Sequence, residues 1–385
     1  MSARRSVVAA AAVCALATSC GGDARIDLSR LDVGTYSTAT RTIAEPPSQA
    51  NGIVLEGIRM SDAVADTSQF GSTLNYLWDA GPIPDTQALV DTIGESGKQL
   101  AGWVAGYHAT YADRPRPSRA NPPSHVGLSI TLLRFADDAA ATRAASALEV
   151  ANWSDLGTTV ATPLPRHSEV GARYTPGTGI LRVDAPTGPF VLQLRLEAPP
   201  DGIEKRIGEL DAAYDEEQAL LRQFTPTPVD EIDSLPIDPD GILARMVATD
   251  PAVSPRPSTA FAVYGPTGAL RDQTRAIRAD KLYEKWGVEQ FAVSGSQLLY
   301  KLRDDQAARD MATAVIASSS DVEQEIAGDP TVPNTRCFYA EATAANLRGY
   351  TCRMWFGDIF TVVRADTAPS AIHMAAAQYV LLATR

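Results

Sequence analysis

The sequence has 385 residues, of which 45% are hydrophobic, 21% charged and 7% aromatic, a composition typical of a globular protein and unlike that of a long disordered or collagen-like chain. Acidic residues outnumber basic residues by 46 to 34, which gives a formal net charge of −12. Because an acidic chain repels phosphate backbones, this charge disfavours nucleic acid as a partner.

Residues 1–19 have the pattern of a bacterial signal peptide. Arg4 and Arg5 supply the positive start, and residues 6–19 form an uncharged stretch rich in Ala and Val. This stretch is too short to span a membrane, and no later segment reaches the roughly eighteen apolar residues that a spanning helix needs. The sequence therefore predicts an exported protein without a transmembrane helix.

Cys20 directly follows the signal, and the residues around it resemble a bacterial lipobox. In a lipobox, a peptidase cleaves before a cysteine whose thiol carries diacylglycerol. The preceding residues are Leu-Ala-Thr-Ser, although Leu16 lies four positions before Cys20 rather than three. An ordinary secretory signal that is cleaved nearby is the alternative. Several acyl chains together make membrane attachment stable, so we predict lipidation of Cys20 and a location on the extracytoplasmic face of the cell membrane.

The remaining chain is predicted to contain a tether and two lobes. Residues 20–50 are polar and include two prolines, which favours a lipidated tether leading into the first lobe. A proline-rich and acidic connector begins at Thr225. We therefore predict an N-terminal lobe over residues 51–235 and a C-terminal lobe over residues 236–385.

An internal repeat relates the two lobes. Residues 129–148 align without a gap on residues 296–315, at an offset of 167, with eight identities in twenty positions. Each copy has an apparent strand, an Asp-Asp pair and an apparent helix. We predict that one aspartate of each pair caps the helix that follows, rather than forming a catalytic carboxylate pair. The candidate capping residues are Asp137 or Asp138 and Asp304 or Asp305.

Each copy of the repeat is followed by further strands and a second helix, predicted over residues 202–224 and 369–384. This order is typical of the α+β class. We therefore expect two homologous lobes, each a mostly antiparallel sheet with helices on one face, in a ferredoxin-like arrangement.

Cys337 and Cys352 are the two cysteines left for the folded body, since Cys14 leaves with the signal and Cys20 carries lipid. Both lie in apparent neighbouring strands, which favours a disulfide bond in an exported protein. Closing a loop of about fifteen residues stabilises a fold by roughly 3 kcal/mol. Two buried free thiols or a metal-binding pair are the alternatives.

Four segments carry a family resemblance: the lipobox, residues 26–36, residues 59–64 (Arg-Met-Ser-Asp-Ala-Val) and residues 263–270 (Val-Tyr-Gly-Pro-Thr-Gly-Ala-Leu). Together they resemble an uncharacterised two-domain lipoprotein family of mycolate-bearing actinobacteria. The resemblance extends over essentially all of the mature chain. It implies a domain of unknown function and brings no reaction, ligand or catalytic residue.

The common catalytic and cofactor motifs are incomplete in this sequence. No Gly-x-Ser-x-Gly elbow is present, residues 94–99 lack the first Gly and the Ser/Thr of a phosphate-binding loop, and residues 238–241 lack the flanking carboxylates of a calcium loop. The histidines do not show metal-type spacing, so we predict no catalytic, cofactor-binding or metal residue. These histidines, which we expect at the surface or in the core, are His108, His125, His167 and His373.

The sequence therefore favours a non-catalytic binding or scaffolding lipoprotein of the cell envelope. A cleft between the lobes would hold a lipid, glycan or protein ligand, and one or two of five scattered tryptophans could line a groove. The alternative is an envelope hydrolase whose site is assembled only in three dimensions, with His125 or His167 next to a serine or carboxylate. A purely structural partner, with a broad exposed apolar patch, is a third possibility.

Overall fold

The structure is a computed structural model that describes residues 26–43, 46–116, 125–153, 158–248, 256–272, 282–319, 323–341 and 349–384. The predicted signal peptide and Cys20 lie outside these residues. In the described part of the chain, no helix is both long and apolar enough to cross a lipid bilayer.

The N-terminal lobe contains an antiparallel sheet of seven described strands in the order β1-β2-β3-β7-β6-β5-β4. The strands are β1 Tyr76–Pro82, β2 Trp103–Ala112, β3 Gly127–Phe135, β4 Val160–Pro163, β5 Gly171–Tyr174, β6 Ile180–Thr187 and β7 Phe190–Glu197. The helices are α1 Gln49–Met60, α2 Thr86–Ile93, α3 Asp138–Trp153 and α4 Ile207–Leu221.

The C-terminal lobe repeats this topology, with the described strands in the order β8-β9-β10-β14-β13-β12-β11. The strands are β8 Phe261–Tyr264, β9 Val288–Ser294, β10 Gln297–Leu302, β11 Gln324–Ile326, β12 Thr335–Ala340, β13 Gly349–Phe356 and β14 Ile359–Ala365. The helices are α5 Pro266–Ala269, α6 Leu282–Trp286, α7 Asp305–Ser319 and α8 Ala368–Ala383. The predicted α+β class and two homologous lobes are confirmed.

The repeated aspartates cap equivalent helices in the two lobes. Asp137 accepts a hydrogen bond from the backbone N–H of Ala140 at 2.7 Å, and Asp304 accepts one from Ala307 at 2.8 Å. Each carboxylate satisfies an N–H group that has no partner within its helix. The predicted capping role is confirmed for the first aspartate of each pair.

The helices lie on both faces of each sheet, which corrects our prediction that they share one face. In the N-terminal lobe, α3 packs with Leu133 and Val191, whereas α4 lies in the cluster that contains Leu132 and Leu192. Successive residues of a strand point to opposite faces. Val191 and Leu192 of β7 are both fully buried. Each face of the sheet is therefore packed against a helix of its own.

The C-terminal lobe divides its helices in the same way. Helix α7 lies in the cluster of Tyr300 and Phe360, whereas α8 packs with Cys352 and Val363. The four central strands of the N-terminal sheet, in the order β2-β3-β7-β6, can be compared with the ferredoxin-like arrangement. Strands β3 and β6 flank β7, as in a split β-α-β unit, but the outer neighbour β2 precedes β3 instead of following the last helix.

Two predicted helices have different beginnings in the structure. Residues 200–206 form a 3₁₀ segment, and α4 proper starts at Ile207 rather than at residue 202. Helix α8 starts at Ala368, one residue before its predicted start, because the side chain of Thr367 accepts a hydrogen bond from Ser370 N–H.

Residues 26–43 lie against the C-terminal lobe, whereas the sequence predicts a tether leading into the N-terminal lobe. Leu31 is 7% exposed and packs in the cluster of α8. The Arg41 guanidinium lies 5.2 Å from the ring centroid of Phe261. Apolar side chains recur through this segment, and burying them against α8 removes their surface from water.

The predicted disulfide bond between Cys337 and Cys352 is present. The two residues are direct partners in the β12–β13 pairing, and their sulfur atoms are 2.02 Å apart. Both residues are buried in the cluster beneath α8.

Candidate binding site between the lobes

Two of the segments that carry the family resemblance meet where the lobes join. Asp62, just after α1, accepts a hydrogen bond from the backbone N–H of Gly268 in α5 at 2.8 Å. A Cβ atom on Gly265 would lie 1.8 Å from Asp62 Oδ2, and one on Gly268 would lie 2.3 Å from Ser61 Oγ. The two glycines therefore permit the close approach of the lobes.

Arg271 extends from the C-terminal lobe into the N-terminal lobe. Its guanidinium donates hydrogen bonds to the carbonyl oxygens of Ser61, at 3.0 Å, and of Val64. It also lies 5.2 Å from the ring centroid of Tyr107 in β2, within cation–π range. Arg271 is only 9% exposed, so a buried cation of one lobe is held by the backbone of the other.

Buried acids accompany this cation. Glu217 on α4 is fully buried and accepts a hydrogen bond from Ala65 N–H at 2.7 Å. Burial raises the pKa of Glu217 to about 8. Burial also raises the pKa of Asp62, although the hydrogen bond from Gly268 opposes that shift. The junction therefore holds ionisable groups in a desolvated environment, which is common at functional sites.

Three buried polar atoms at the junction have no hydrogen-bond partner within the described part of the chain: Ser61 Oγ, Glu217 Oε2 and Arg271 Nε. Buried polar atoms of folded proteins are nearly always satisfied. The junction therefore contains buried donor and acceptor atoms that form no hydrogen bond with a described residue.

A cleft of about 410 Å³ opens beside this junction. Both lobes contribute walls, as predicted for two lobes that meet at one interface. The lining residues are Arg59, Asp62, Leu220, Gln223, Phe224 and Thr225 from the N-terminal lobe and Val263, Gly265, Pro266 and Thr267 from the C-terminal lobe. The cleft thus combines a few polar groups with apolar surface, a common property of small-molecule sites.

Arg59 is fixed in the wall of the cleft by a buried carboxylate. It donates a hydrogen bond to Glu56 Oε2 at 2.5 Å and to the Thr225 carbonyl at 3.1 Å. Its guanidinium lies 5.5 Å from the ring centroid of Phe224. Glu56 is fully buried, and Thr227 of the connector donates to it as well. The connector between the lobes is therefore part of the site.

The four histidines each lie beside a carboxylate and away from the lining of this cleft. Among the described residues, no serine, threonine or cysteine hydrogen bonds to a histidine. The closest pair relevant to the hydrolase alternative is His167 Nε2 and Asp215 Oδ1, at 3.2 Å. His125 lies 3.7 Å from Glu197. The others pair as His108 with Asp79 at 3.5 Å and His373 with Asp32 at 3.2 Å.

The tryptophans divide between core and surface grooves. Trp286 is buried at 4% exposure, whereas Trp153 and Trp355 each line a cleft. The described residues contain no group of three or more His, Cys, Asp or Glu side chains placed to hold a metal ion. Asp238, in the segment that resembles a calcium loop, accepts hydrogen bonds from the N–H groups of Leu243 and Ala244.

The acidic run from Glu209 to Glu217 predicts the solvent-facing side of its helix, but Glu217 is fully buried. The sequence alone gave Arg271 no role and Asp62 only a place in a family segment. The available signal was the pair of glycines in residues 264–271, whose spacing marks a close backbone approach. The residue that approaches them is Asp62, which is 206 residues from Gly268 in the sequence.

Family models identify both lobes. A model described as the N-terminal domain of unknown function DUF7373 matches residues 43–237, and its C-terminal counterpart matches residues 242–385. A search of curated proteins finds no match. The chain therefore belongs to DUF7373, a two-domain family of unknown function.

Proposed function

We propose that the chain is a lipid-anchored, extracytoplasmic lipoprotein of an actinobacterial cell envelope that binds a ligand without catalysis. The signal-like residues 1–19 and the small residues around Cys20 support the anchor. The cleft between the lobes supports the binding role.

The observation that carries the binding role is the lining of that cleft. Gln223, Thr225 and Thr267 offer hydrogen-bonding groups, and Phe224 and Pro266 offer apolar surface. A ring with hydroxyl groups at its edges and an apolar face fits such a surface. We therefore assign the cleft to a glycan of the envelope.

The polar groups of the cleft favour binding over hydrolysis. Asp62 is already engaged by the backbone of α5, and Arg59 is held by Glu56. General acid–base catalysis needs a titratable group within hydrogen-bond reach of the reacting atom, usually with a nucleophile beside it. The His167–Asp215 pair, at 3.2 Å, lies outside the lining.

Binding is tested by native mass spectrometry and calorimetric titration with a panel of neutral and acidic oligosaccharides. We expect one oligosaccharide to bind and Phe224→Ala to weaken its binding by about tenfold, which is about 1.4 kcal/mol. Gln87→Ala, on the exposed side of α2, is the control. Equal affinity for the wild type and Phe224→Ala, or hydrolysis of the oligosaccharide, would contradict the proposal.

The anchor is tested separately by labelling with palmitate. We expect label in the wild-type product and none after Cys20→Ser, which should also move the protein out of the membrane fraction. A labelled Cys20→Ser product, or an unlabelled wild type, would refute the anchor.

A further inference from the structure

A second cleft, of about 390 Å³, lies at the outer end of the N-terminal sheet. Strand β6 pairs with β7 along its whole length, but it pairs with β5 only at Leu181 and Arg182. Among the described residues, no strand therefore pairs with the other side of residues 183–187. The cleft opens beside this stretch, and residues 184–186 form part of its wall.

The cleft has an apolar surface that includes two aromatic rings. Trp153, at the end of α3, and Tyr214, on α4, both line it, and Val170 and Pro186 extend the apolar surface. The Arg182 guanidinium lies 6.0 Å from the ring centroid of Trp153, at the limit of cation–π range. An indole in the wall of a cleft is a flat apolar surface on which the apolar face of a sugar ring can pack.

The charged side chains of the lining balance one another. Arg173 Nη2 lies 2.5 Å from Glu149 Oε1. Burial lowers the pKa of Arg182, and the nearby charge of Asp184 opposes that shift. With Glu169, two arginines lie among three carboxylates, and burial raises the pKa of one of these, Asp184. The lining therefore has no excess of positive charge for an anion and favours a neutral ligand.

Two of these charged groups have hydrogen-bonding capacity left. Asp184 accepts one hydrogen bond on each oxygen, from Gln193 Nε2 at 2.6 Å and from Asn152 Nδ2 at 3.1 Å, whereas each carboxylate oxygen can accept two. Arg182 Nε is buried and has no hydrogen-bond partner within the described part of the chain. The cleft thus presents a donor and acceptors together, which suits hydroxyl groups because each hydroxyl both donates and accepts.

The C-terminal lobe shows that the fold does not require this charged set. The β6–β7 and β13–β14 turns correspond, because Thr187 pairs with Phe190 and Phe356 pairs with Ile359. Counting from these turns and from the repeat at an offset of 167, the corresponding residues are Ile316 for Glu149, Phe338 for Arg173, Thr351 for Arg182 and Arg353 for Asp184. Three of these four residues are uncharged, and two of them line the corresponding cleft.

Partial burial of charged groups costs free energy unless they gain compensating partners. A charged set that is present in one copy of the repeat and mostly replaced in the other is therefore not needed for folding. A role in binding explains why the N-terminal lobe has it. The cleft volume also lies within the range of roughly 300–1,000 Å³ that is common for small-molecule sites.

We propose that this cleft, which we call the Trp153 cleft, is a second carbohydrate site and binds a neutral sugar residue of a glycan. The apolar face of the sugar packs on Trp153, and its hydroxyl groups hydrogen bond with Arg182 and Asp184. The site lies entirely within the N-terminal lobe. It therefore does not depend on the glycan proposed for the cleft between the lobes.

The test is titration of the full-length protein with four neutral oligosaccharides: maltopentaose, mannopentaose, galactopentaose and chitopentaose. We expect one of them to bind by calorimetry and to change the tryptophan emission. Trp153→Phe should remove the change in emission. Trp153→Ala and Arg182→Met, which keeps a long side chain but removes its donors, should each weaken binding by about tenfold.

Trp355→Phe is the matched control, because Trp355 lines the corresponding cleft of the C-terminal lobe. It should keep both the affinity and the change in emission, as should Phe224→Ala in the cleft between the lobes. The thermal midpoint of each variant shows whether it is folded. Because Trp153 is at the end of a helix and Arg182 is in a strand, the two substitutions test the site independently.

Unchanged affinity in both Trp153→Ala and Arg182→Met, or a change in emission that survives Trp153→Phe, would overturn the proposal. Binding only of oligosaccharides that contain uronic acids or amino sugars would also overturn it, as would binding of none of the four neutral ones. If Phe224→Ala alone abolishes binding, the oligosaccharide belongs to the cleft between the lobes. That result would refute the Trp153 cleft and support the proposed function, so the two failures can be told apart.

Discussion

The carboxyl group of Glu217 is buried where its charged form is poorly solvated. Loss of hydration raises its pKa from 4.5 to about 8, and only the hydrogen bond from Ala65 and the charge of Arg271 counter this shift. At neutral pH the folded protein therefore holds Glu217 protonated.

This pKa predicts a specific pH dependence. Between pH 4.5 and 8 the unfolded chain releases the Glu217 proton while the folded chain keeps it, so the free energy of unfolding falls as pH rises. We expect Glu217→Gln to reduce this fall by a few kcal/mol, since one pKa unit is worth about 1.4 kcal/mol. Urea unfolding of the two proteins at pH 5, 6.5 and 8 measures the difference.

The exposed Glu95→Gln substitution is the control for the pH series and should leave the slope unchanged. Parallel pH curves for Glu217→Gln and the wild type would show that Glu217 is ionised in the fold. The difference between the curves isolates Glu217 from Asp184, whose pKa is also raised by burial.

Gly265 tests the contact between the lobes. In Gly265→Ala the new methyl would lie 1.8 Å from Asp62 Oδ2, against 3.4–4 Å for ordinary contact. We expect a loss of roughly 1–3 kcal/mol, as for overpacked sites, measured by denaturant unfolding. Gly208→Ala, in α4 with open space around it, should be neutral or slightly stabilising. Equal stability of the two variants would refute the close packing at Asp62.

At the scale of elements, local patterns in the sequence were sufficient for much of the fold. The repeat at an offset of 167 located β3 with α3 and β10 with α7, and the Asp-Asp pairs marked both helix starts. The division of helices between the two faces was missed, although it follows from the burial of both Val191 and Leu192, which point to opposite faces of β7. The junction at Asp62 and Gly268 could not be predicted, because no local pattern specifies a contact between residues so distant in sequence.

The disulfide between β12 and β13 should stabilise the C-terminal lobe by limiting its unfolded chain. It closes a separation of 15 residues, which corresponds to about 3 kcal/mol. We expect the double substitution Cys337→Ala and Cys352→Ala to lower the free energy of unfolding by about that amount. Denaturant unfolding with and without a reductant provides the measurement, and only the wild type should respond to the reductant. A reductant-insensitive wild type would contradict the prediction.

For the whole molecule, the two lobes share one hydrophobic cluster. Ile58 and Leu132 of the N-terminal lobe belong to the same buried cluster as Tyr264 and Phe291 of the C-terminal lobe. Arg271 adds polar contacts across the same junction. The lobes are therefore expected to be coupled in folding, unlike domains joined only by a flexible linker.

This coupling predicts a single thermal transition. We expect the calorimetric and van't Hoff enthalpies of the full chain to agree, as for a cooperative unit. Gly265→Ala should lower the midpoint of that single transition. Two resolved transitions, with only one of them shifted by the substitution, would show that the lobes unfold independently.

The start of the described chain packs on α8 of the C-terminal lobe, through Leu31 and the apolar residues around it. Asp32 lies 3.2 Å from His373 of α8, so the start of the described chain and its last helix lie side by side. With the proposed anchor on Cys20, the C-terminal lobe lies closest to the lipid headgroups. The N-terminal lobe then points away from the membrane, and antibodies or protease added to intact cells would reach it first.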